Sequence, residues 1–456
     1  MDLRPYQKGA LERILGRGRM IYADAPGTGK TPTSLAWLHA AEVRRALIVA
    51  PLPVLHHWES LAGVWWPGAE VHVGHGSAKR RAAARERVFE AVGPSGLVVN
   101  YEAFRADHEH YLGRFDAAVF DEAHRLKNRR AQVRKAAGKV ARRVNRLLLV
   151  TGTPLVNSAD ELWSSLNLLD HKAYPSYWRW TREHFRTEDI MPRGRVGRPV
   201  TLVGDLKYGH EALVREQIAG VLIQRPIEEL LPDLPDVTET TVLVDLSPSE
   251  RKAYTSMLER FWMVVDGEVV QASNTVSQMT RLRQLASDWS EMGGDTGSKV
   301  TSAAELVADL HPEQAVVICA YKASVRSLRA ALDKRGITTV TYTGDDVQDR
   351  RDDAVKAFRE GRAQVLVGTH GAVGEGVDGL QVARHIVMYD RAWTPAANEQ
   401  AIARIRRSGQ SATKVNVVYI EAKGTIDQYV AEVVEGKQSV FDALVGGFSK
   451  EDLCPT

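Results

Sequence analysis

The chain has 456 residues, 44% of them hydrophobic and 26% charged, with a net charge of +3. That length holds roughly two to three domains, each able to bury its own core, and two cysteines, Cys319 and Cys454, exclude a disulfide framework or a cysteine-built zinc site. No apolar run approaches the roughly 18 residues of a membrane span, and Met1-Asp2-Leu3-Arg4-Pro5 lacks a signal-peptide pattern, so a soluble protein of the reducing cytoplasm is expected.

In chain order, the first half carries runs rich in Val, Ile and Leu at residues 20–23, 46–50, 97–100, 117–120 and 147–150, alternating with helical stretches. This is the pattern of a parallel sheet covered on both faces, and such sheets place ligands beyond the C-terminal ends of their strands. The first run ends in Asp24-Ala25-Pro26-Gly27-Thr28-Gly29-Lys30-Thr31. Gly27 and Gly29, with Thr28 between them, let backbone N–H groups approach phosphate oxygens, and the helix starting near Gly29 points its positive end the same way. Lys30 is expected to contact β- and γ-phosphates, and the Thr31 hydroxyl to ligate Mg²⁺. Asp24 stands where the usual phosphate loop opens with a glycine.

The run 117–120 delivers Asp121-Glu122-Ala123-His124. Asp121 is expected to hold Mg²⁺ and Glu122 to polarise the attacking water, because metal ligation quenches the basicity of the carboxylate that performs it. Between Glu122 and Asp160 there is no acidic residue, while Arg125, Lys127, Arg129, Arg130, Arg134, Lys135, Lys139, Arg142, Arg143 and Arg146 all fall there. A run of one sign beside the catalytic strand predicts a polyanion-facing surface. A second basic group, Lys79, Arg80, Arg81, Arg85 and Arg87, reads as a solvated face. The run 147–150 ends in Thr151-Gly152-Thr153-Pro154, small hydroxyl residues suited to sensing a γ-phosphate and relaying its state.

Beyond residue 170 the alternation stops. Residues 170–239 read as helical, rich in Trp and Tyr, with a Gly/Arg loop at 191–198. The prolines of Leu231-Pro232-Asp233-Leu234-Pro235 mark a boundary. Alternation resumes at 316–320, 338–342, 365–368, 386–389 and 415–420, and a helix over 425–444 closes the chain. The expected organisation is an N-terminal lobe over 1–230 with a helical insertion after about 170, a linker over 231–240, and a C-terminal lobe over 241–456 with a helical insertion over about 246–295. Arg404 and Arg407 share one face if 401–407 is helical. They are candidates to reach a γ-phosphate, where such an arginine is worth ~10³–10⁵ in rate.

These strings, in this order, resemble the Swi/Snf-type ATPases of helicase superfamily two, almost end to end. Leu3-Arg4-Pro5-Tyr6-Gln7 resembles the opening motif, which implies Arg4 and Gln7 at the nucleotide with Gln7 on adenine. Asp24 matches the family's own acidic residue before the phosphate loop. Residues 51–59, Asn100-Tyr101-Glu102, and Asp121-Glu122-Ala123-His124-Arg125-Leu126-Lys127-Asn128 follow as successive motifs. Residues 146–154 and Glu161-Leu162-Trp163 come next. In the second half Leu282-Arg283-Gln284-Leu285, Ser298-Lys299, residues 369–378, Trp393-Thr394-Pro395 and residues 400–410 do the same.

The resemblance implies an α/β fold of two tandem RecA-like parallel-sheet lobes with helical protrusions and ATP in the cleft between them. It implies ATP and Mg²⁺ as cofactors, Gly376 and Asp378 at the nucleotide, and coupling through Thr151, Gly152, Thr153 and Gln400. It implies DNA contacts at Pro51, Trp58, Asn100, Tyr101, Thr369, His370 and Trp393. The expected function is a monomeric motor that translocates on double-stranded DNA and remodels protein–DNA complexes or branched DNA. The alternative is a strand-separating or annealing helicase at forks, single-stranded DNA or RNA, with a wedge drawn from Trp178, Trp180 or Trp262. A non-hydrolysing nucleotide-switched clamp is disfavoured by the intact Lys30, Thr31, Asp121, Glu122, Arg404 and Arg407. Ala25-Pro26, Val156, Ala403 and Arg406 depart from the family's usual residues. No histone-reading segment is visible, so a minimal bacterial, archaeal or viral motor is expected, nucleoid-associated or in a host cytoplasm.

Overall fold

The computed structural model describes residues 2–152, 158–190, 200–260, 262–265, 268–271, 275–292, 294–374, 377–407 and 409–444. The chain divides into two compact units, residues 1–232 together with 437–456, and residues 233–436.

The first unit is built on strands β1 (Arg19–Tyr22), β2 (Arg45–Val49), β3 (Glu70–Gly74), β4 (Ser95–Val99), β5 (Ala117–Asp121), β6 (Arg146–Val150) and β9 (Leu222–Ile223). They form one sheet in the order β3-β4-β2-β5-β6-β1-β9, every pair parallel. The reason lies in the runs themselves. Successive residues of a strand face opposite sides, and here both sides are apolar. Ala118 and Phe120 enter one core cluster while Ala117 and Val119 enter the other. A strand buried on both faces is covered by helices, which requires crossovers and therefore parallel pairing. Arg19, at the start of β1, ties the helices down. Its guanidinium donates to the carbonyls of Ala141, Val144, Leu168 and Leu169 at 2.7–2.9 Å. Carbonyls at helix ends have no partner within the helix, and a half-buried cation is a strong donor for them.

The second unit has β10 (Asp236–Val244), β13 (Ala315–Cys319), β14 (Thr339–Tyr342), β15 (Val365–Thr369), β16 (His385–Met388) and β17 (Lys414–Ala422), in the order β10-β17-β16-β13-β15-β14, again all parallel. Val317 and Cys319 face one core, Val316 and Ile318 the other. A third cluster gathers Tyr254, Met257, Leu282, Leu285, Ile426 and Val430. The two-lobe α/β architecture expected from the runs is therefore what forms.

Three stretches differ from the sequence reading. Residues 170–239 are not helical throughout. They include the antiparallel hairpin β7 (Phe185–Ile190) and β8 (Val200–Leu206), and edge strand β9. Residues 236–244, read as the end of a linker and the lobe's start, form strand β10, which pairs with β17 over nine residues. Its mostly exposed Thr and Glu residues hide it from an apolar-run search. The insertion at 246–295 carries helices Pro248–Arg260 and Thr275–Ser287 but also the hairpin β11 (Trp262–Val265) and β12 (Glu268–Gln271). The Gly/Arg loop at 191–198 lies outside the described residues.

Candidate active site

Sheet order brings the first unit's chemistry together. β5, β6 and β1 are neighbours, and Asp121 pairs with Val150, which pairs in turn with Tyr22. The phosphate loop, Asp121-Glu122 and Thr151 thus leave three adjacent strands at one level, about 5 Å apart.

In the loop, Gly27 and Gly29 have φ of 82° and 74°, the left-handed region where a side chain is strained. A Cβ on Gly29 would also lie 2.4 Å from Nε2 of Gln7. Gln7, 7% exposed, accepts from the Arg4 N–H at 2.9 Å and donates to the carbonyls of Thr28 and Gly29 at 3.2 Å. As placed, it braces the loop. Tyr6 donates its hydroxyl to the Thr28 carbonyl as well, at 2.9 Å. Lys30 Nζ donates to the carbonyls of Asp24 (2.7 Å) and Ala25 (3.0 Å). It opens the helix Lys30–Ala40, whose first amides point at the loop. Gly152 rests against it, since a Cβ there would lie 3.0 Å from Cγ of Pro26. The departure at Pro26 is thereby matched by a residue with no side chain.

Asp24 is fully buried and is held by Arg225, Nε to Oδ1 at 3.2 Å and a terminal nitrogen to Oδ2 at 2.5 Å. Arg225 also donates to the Tyr6 carbonyl at 2.9 Å. Sequence reading missed Arg225. Its position one residue beyond Gln224, at the end of β9 and before Pro226, carries no motif by itself.

Asp121 Oδ2 accepts the Trp58 indole N–H at 2.9 Å, and Oδ1 accepts the Glu122 backbone N–H at 3.0 Å. Tyr101 donates its hydroxyl to the Asp121 main-chain oxygen at 2.6 Å. Burial, reinforced by the Glu122 charge, pushes the Asp121 carboxyl up to about 6, against the opposing pull of Trp58 and Lys30. Glu122 has φ 52°, rare for a residue with a long side chain. Its carboxylate lies 3.1 Å from Nδ1 of His124, which in turn lies 3.4 Å from the Thr151 hydroxyl. Glu122, His124 and Thr151 are thus in one polar chain, joining the second and third loops. Thr153 lies outside the described residues.

In the second unit β16, β13 and β15 are adjacent, so residues after Thr369 and after Met388 flank the end of β13. Arg404 donates to the Gly374 carbonyl, and Arg407 pairs with Asp378. Gln400 Oε1 approaches the same glycine, 3.8 Å from where a Cβ would sit. The helical premise for the arginines needs correction. The helix Pro395–Ile402 ends before them, and Arg404 and Ile405 bond back three residues, in turns. Arg406 does face elsewhere, donating to the Pro235 carbonyl at 3.0 Å. Gly376 lies outside the described residues.

The DNA contacts expected in the first unit need correction too. Pro51 is buried, Trp58 is 0% exposed, and Asn100 caps the helix Tyr101–Asp107 by accepting from the Ala103 N–H at 3.0 Å. Tyr101 is buried with its hydroxyl on Asp121. These side chains are almost wholly buried, with Asn100 8% and Tyr101 4% exposed, and offer a polyanion little surface. In the second unit Thr369 and His370 are partly exposed. His370 donates Nε2–H to the Asp390 carbonyl at 2.6 Å, and burial holds its imidazole below the ordinary histidine pKa. Trp393 is half-buried, with the Arg283 guanidinium 5.3 Å from its ring and Tyr429 edge-on at 6.4 Å.

The basic run is also less uniform than its sequence. Arg134 points inward, bonded to Ser164 and Asn167, with its pKa pushed down to about 10 by burial. Arg129 lies over the rings of Tyr177 (4.0 Å) and Trp178 (5.0 Å). Lys127 and Arg129 line a cavity of about 330 Å³. Arg130, Lys135, Arg142 and Arg143 remain exposed.

Among the described residues no group of three or more His, Cys, Asp or Glu side chains could hold a metal ion alone. A single carboxylate and a hydroxyl instead suit Mg²⁺ brought in on phosphates, since that ion keeps several waters. Each Asp121 oxygen has one donor and a lone pair left over. The Thr33 and Ser34 hydroxyls bond back to main-chain carbonyls, whereas the Thr31 hydroxyl makes no hydrogen bond among the described residues. The residues fit the ion.

The SNF2-related domain description matches residues 6–291, and the helicase conserved C-terminal domain matches residues 298–409. The CHD3-type chromatin-remodeling factor CHR7 of Arabidopsis thaliana is 24% identical over 95% of this chain and 36% of its own length. An uncharacterized ATP-dependent helicase of Mycoplasma pneumoniae is 25% identical over 96% and 42%. The putative ATP-dependent helicase/translocase YwqA of Bacillus subtilis is 25% identical over 97% and 49%. The chain therefore spans between a third and a half of the length of these curated relatives. The Sulfolobus solfataricus SWI2/SNF2 ATPase core in complex with dsDNA aligns at 22% identity and a TM-score of 0.45, over 99% of this chain and 96% of that one. With the SNF2-related domain alone covering well over half of its residues, the chain belongs to the SNF2-related family.

Proposed function

We propose that the chain is an ATP- and Mg²⁺-dependent motor that translocates on double-stranded DNA and remodels protein–DNA complexes or branched DNA. The observation that carries the hydrolytic part is the alignment of the phosphate loop, Asp121-Glu122 and Thr151 at the ends of three adjacent strands. Lys30 and the amides of the helix behind it bind the phosphates of ATP. Mg²⁺, held by Asp121 and Thr31, would offset charge on the transferring phosphoryl oxygens. Glu122 orients the attacking water, and its link to His124 and Thr151 passes the state of the γ-phosphate toward the exposed basic residues beyond Asn128. Arg404 and Arg407 act on the γ-phosphate in the ATP-bound state, releasing Gly374 and Asp378 to do so.

Support for DNA as the track is coarser: family membership, and the exposed arginines that follow the catalytic strand. Thr369, His370 and Trp393 are the second unit's contributions to that contact. Nothing favours a strand-separating wedge in Trp180, which is 5% exposed with its indole N–H on Gln217.

The test is ATP hydrolysis without nucleic acid, then with blunt duplex DNA, single-stranded DNA and RNA at matched salt. Glu122→Gln serves as the blank, expected to lose about 10²–10⁴ in rate. Strong stimulation by blunt duplex, followed by triplex displacement along it, is the expected result. Stimulation mainly by single strands or RNA would overturn the duplex reading in favour of a helicase.

A further inference from the structure

We propose that Trp58, in the helix Leu55–Trp65, is a positioning residue for the metal-binding carboxylate. The proposal rests on the reading of Asp121 as the Mg²⁺ ligand. Trp58 has no exposed surface, and the one polar atom of its side chain is donated to Asp121 Oδ2 at 2.9 Å. The other oxygen is held by the next residue's own amide at 3.0 Å. Two donors on two different oxygens fix the rotation of the carboxylate plane, so each remaining lone pair has one direction. With the indole donor removed, the plane is free to turn about the Glu122 contact, and the direction offered to a metal is no longer set.

Tyr101 fixes the same residue from its backbone, donating to the Asp121 carbonyl at 2.6 Å from the first position of the helix Tyr101–Asp107. Asp121 is thereby held by residues from two helices that lie outside its own strand. The helix Leu55–Trp65 buries Leu55, Trp58 and Ala62, while His56 and His57, in the same turn as Trp58, are exposed. Groups that orient a metal ligand from behind are typically worth about 10–100-fold in metal affinity.

The experiment is a Mn²⁺ titration of the full chain with ADP, followed by electron paramagnetic resonance, beside metal-free ADP affinity from fluorescence. Trp58→Phe removes the N–H but also some volume. Incorporation of benzothienylalanine at position 58 replaces the N–H with sulfur at nearly constant shape. Both are expected to weaken Mn²⁺ binding about 10-fold or more with metal-free ADP affinity unchanged. Unchanged Mn²⁺ affinity in the benzothienylalanine protein overturns the proposal, and so does an equal loss of both affinities, which marks a purely structural role. Asp121→Asn separates the two readings. If it leaves Mn²⁺ affinity intact, the assignment of Asp121 itself is wrong and the proposal falls with it; if it abolishes Mn²⁺ binding while the position-58 variants do not change it, only the role of Trp58 is overturned.

Discussion

Asp24 and Arg225 are 201 residues apart in sequence and share two hydrogen bonds in the structure. A carboxylate with no exposed surface beside a phosphate loop is tolerable only if paired, and the loop's own Lys30 is turned to main-chain carbonyls. Removing one partner of such a pair leaves the other charge stranded, at a cost of about 3–5 kcal/mol. Arg225→Ala is therefore expected to lower the thermal midpoint of the first unit and to weaken ADP binding. Arg225→Lys should rescue neither fully, because a lysine cannot span both oxygens. Calorimetry with and without ADP reads both, and a wild-type midpoint in Arg225→Ala would show that the pair is not what holds the loop. Glu122 makes the opposite case. Its left-handed backbone is unfavourable for any residue but glycine, so Glu122→Gly should abolish hydrolysis while the thermal midpoint holds or rises. A clear drop in midpoint would mean that the His124 contact outweighs the strain.

At the scale of elements, the strands buried on both faces were legible because burial on two sides leaves a run with no polar residue to break it. β2, β5 and β13 are such runs. Of the edge strands, β14 was legible as the run 338–342, but β9 and β10 were not. β10 reads Asp-Val-Thr-Glu-Thr-Thr-Val-Leu-Val, and only its β-branched content marks it. β9 has two residues. The same logic divides the site. The phosphate loop and Asp121-Glu122 are local strings, whereas the Trp58 and Arg225 contacts depend on which strands become neighbours, and no local pattern encodes that.

The first insertion shows a further case. Trp180 donates to Gln217 Oε1 at 2.9 Å, so Gln217 must donate its amide to His184 Nε2 at 3.2 Å. His184 then carries its proton on Nδ1 and donates to His210 Nδ1 at 3.3 Å. Burial holds His184 below the ordinary histidine pKa of 6.5, Lys207 and His210 act the same way, and Glu183 opposes them. Since the folded state binds this proton less readily than the unfolded state, the stability of the insertion is full above about pH 6.5 and falls as pH drops toward the folded pKa. Amide exchange of residues 177–219 should therefore quicken between pH 6.5 and 5 beyond its intrinsic pH dependence. Gln217→Glu, able to accept from a doubly protonated His184, should flatten that response, and an unaltered response would refute the assigned tautomers.

Each unit carries its own pair of apolar layers on its own sheet, so a defect in one core should not by itself melt the other. The second unit offers the cleaner place to ask. Lys299, 1% exposed, bridges Asp427 at 2.6 Å and Asp390 at 3.3 Å. Burial opposes its charge, but the two carboxylates outweigh that and hold the ammonium above its ordinary pKa. Asp390 also takes the Ala320 N–H at 2.8 Å and the Ser287 hydroxyl at 3.0 Å, and Tyr389 bonds the Ser287 carbonyl. The bridge thus pins β13, the loop after β16 and the closing helix at one point. Lys299→Met removes the cation that bridges the two buried carboxylates, a loss of about 3–5 kcal/mol. Hydrogen exchange mapped by mass spectrometry should show protection falling across residues 233–436 while residues 2–152 keep theirs. Metal-free ADP affinity, which depends on the first unit's loop, should be unchanged. If protection fell equally in both regions, the two cores would have to be treated as one cooperative body, and the effect of any mutation in the second unit on hydrolysis would no longer separate chemistry from folding.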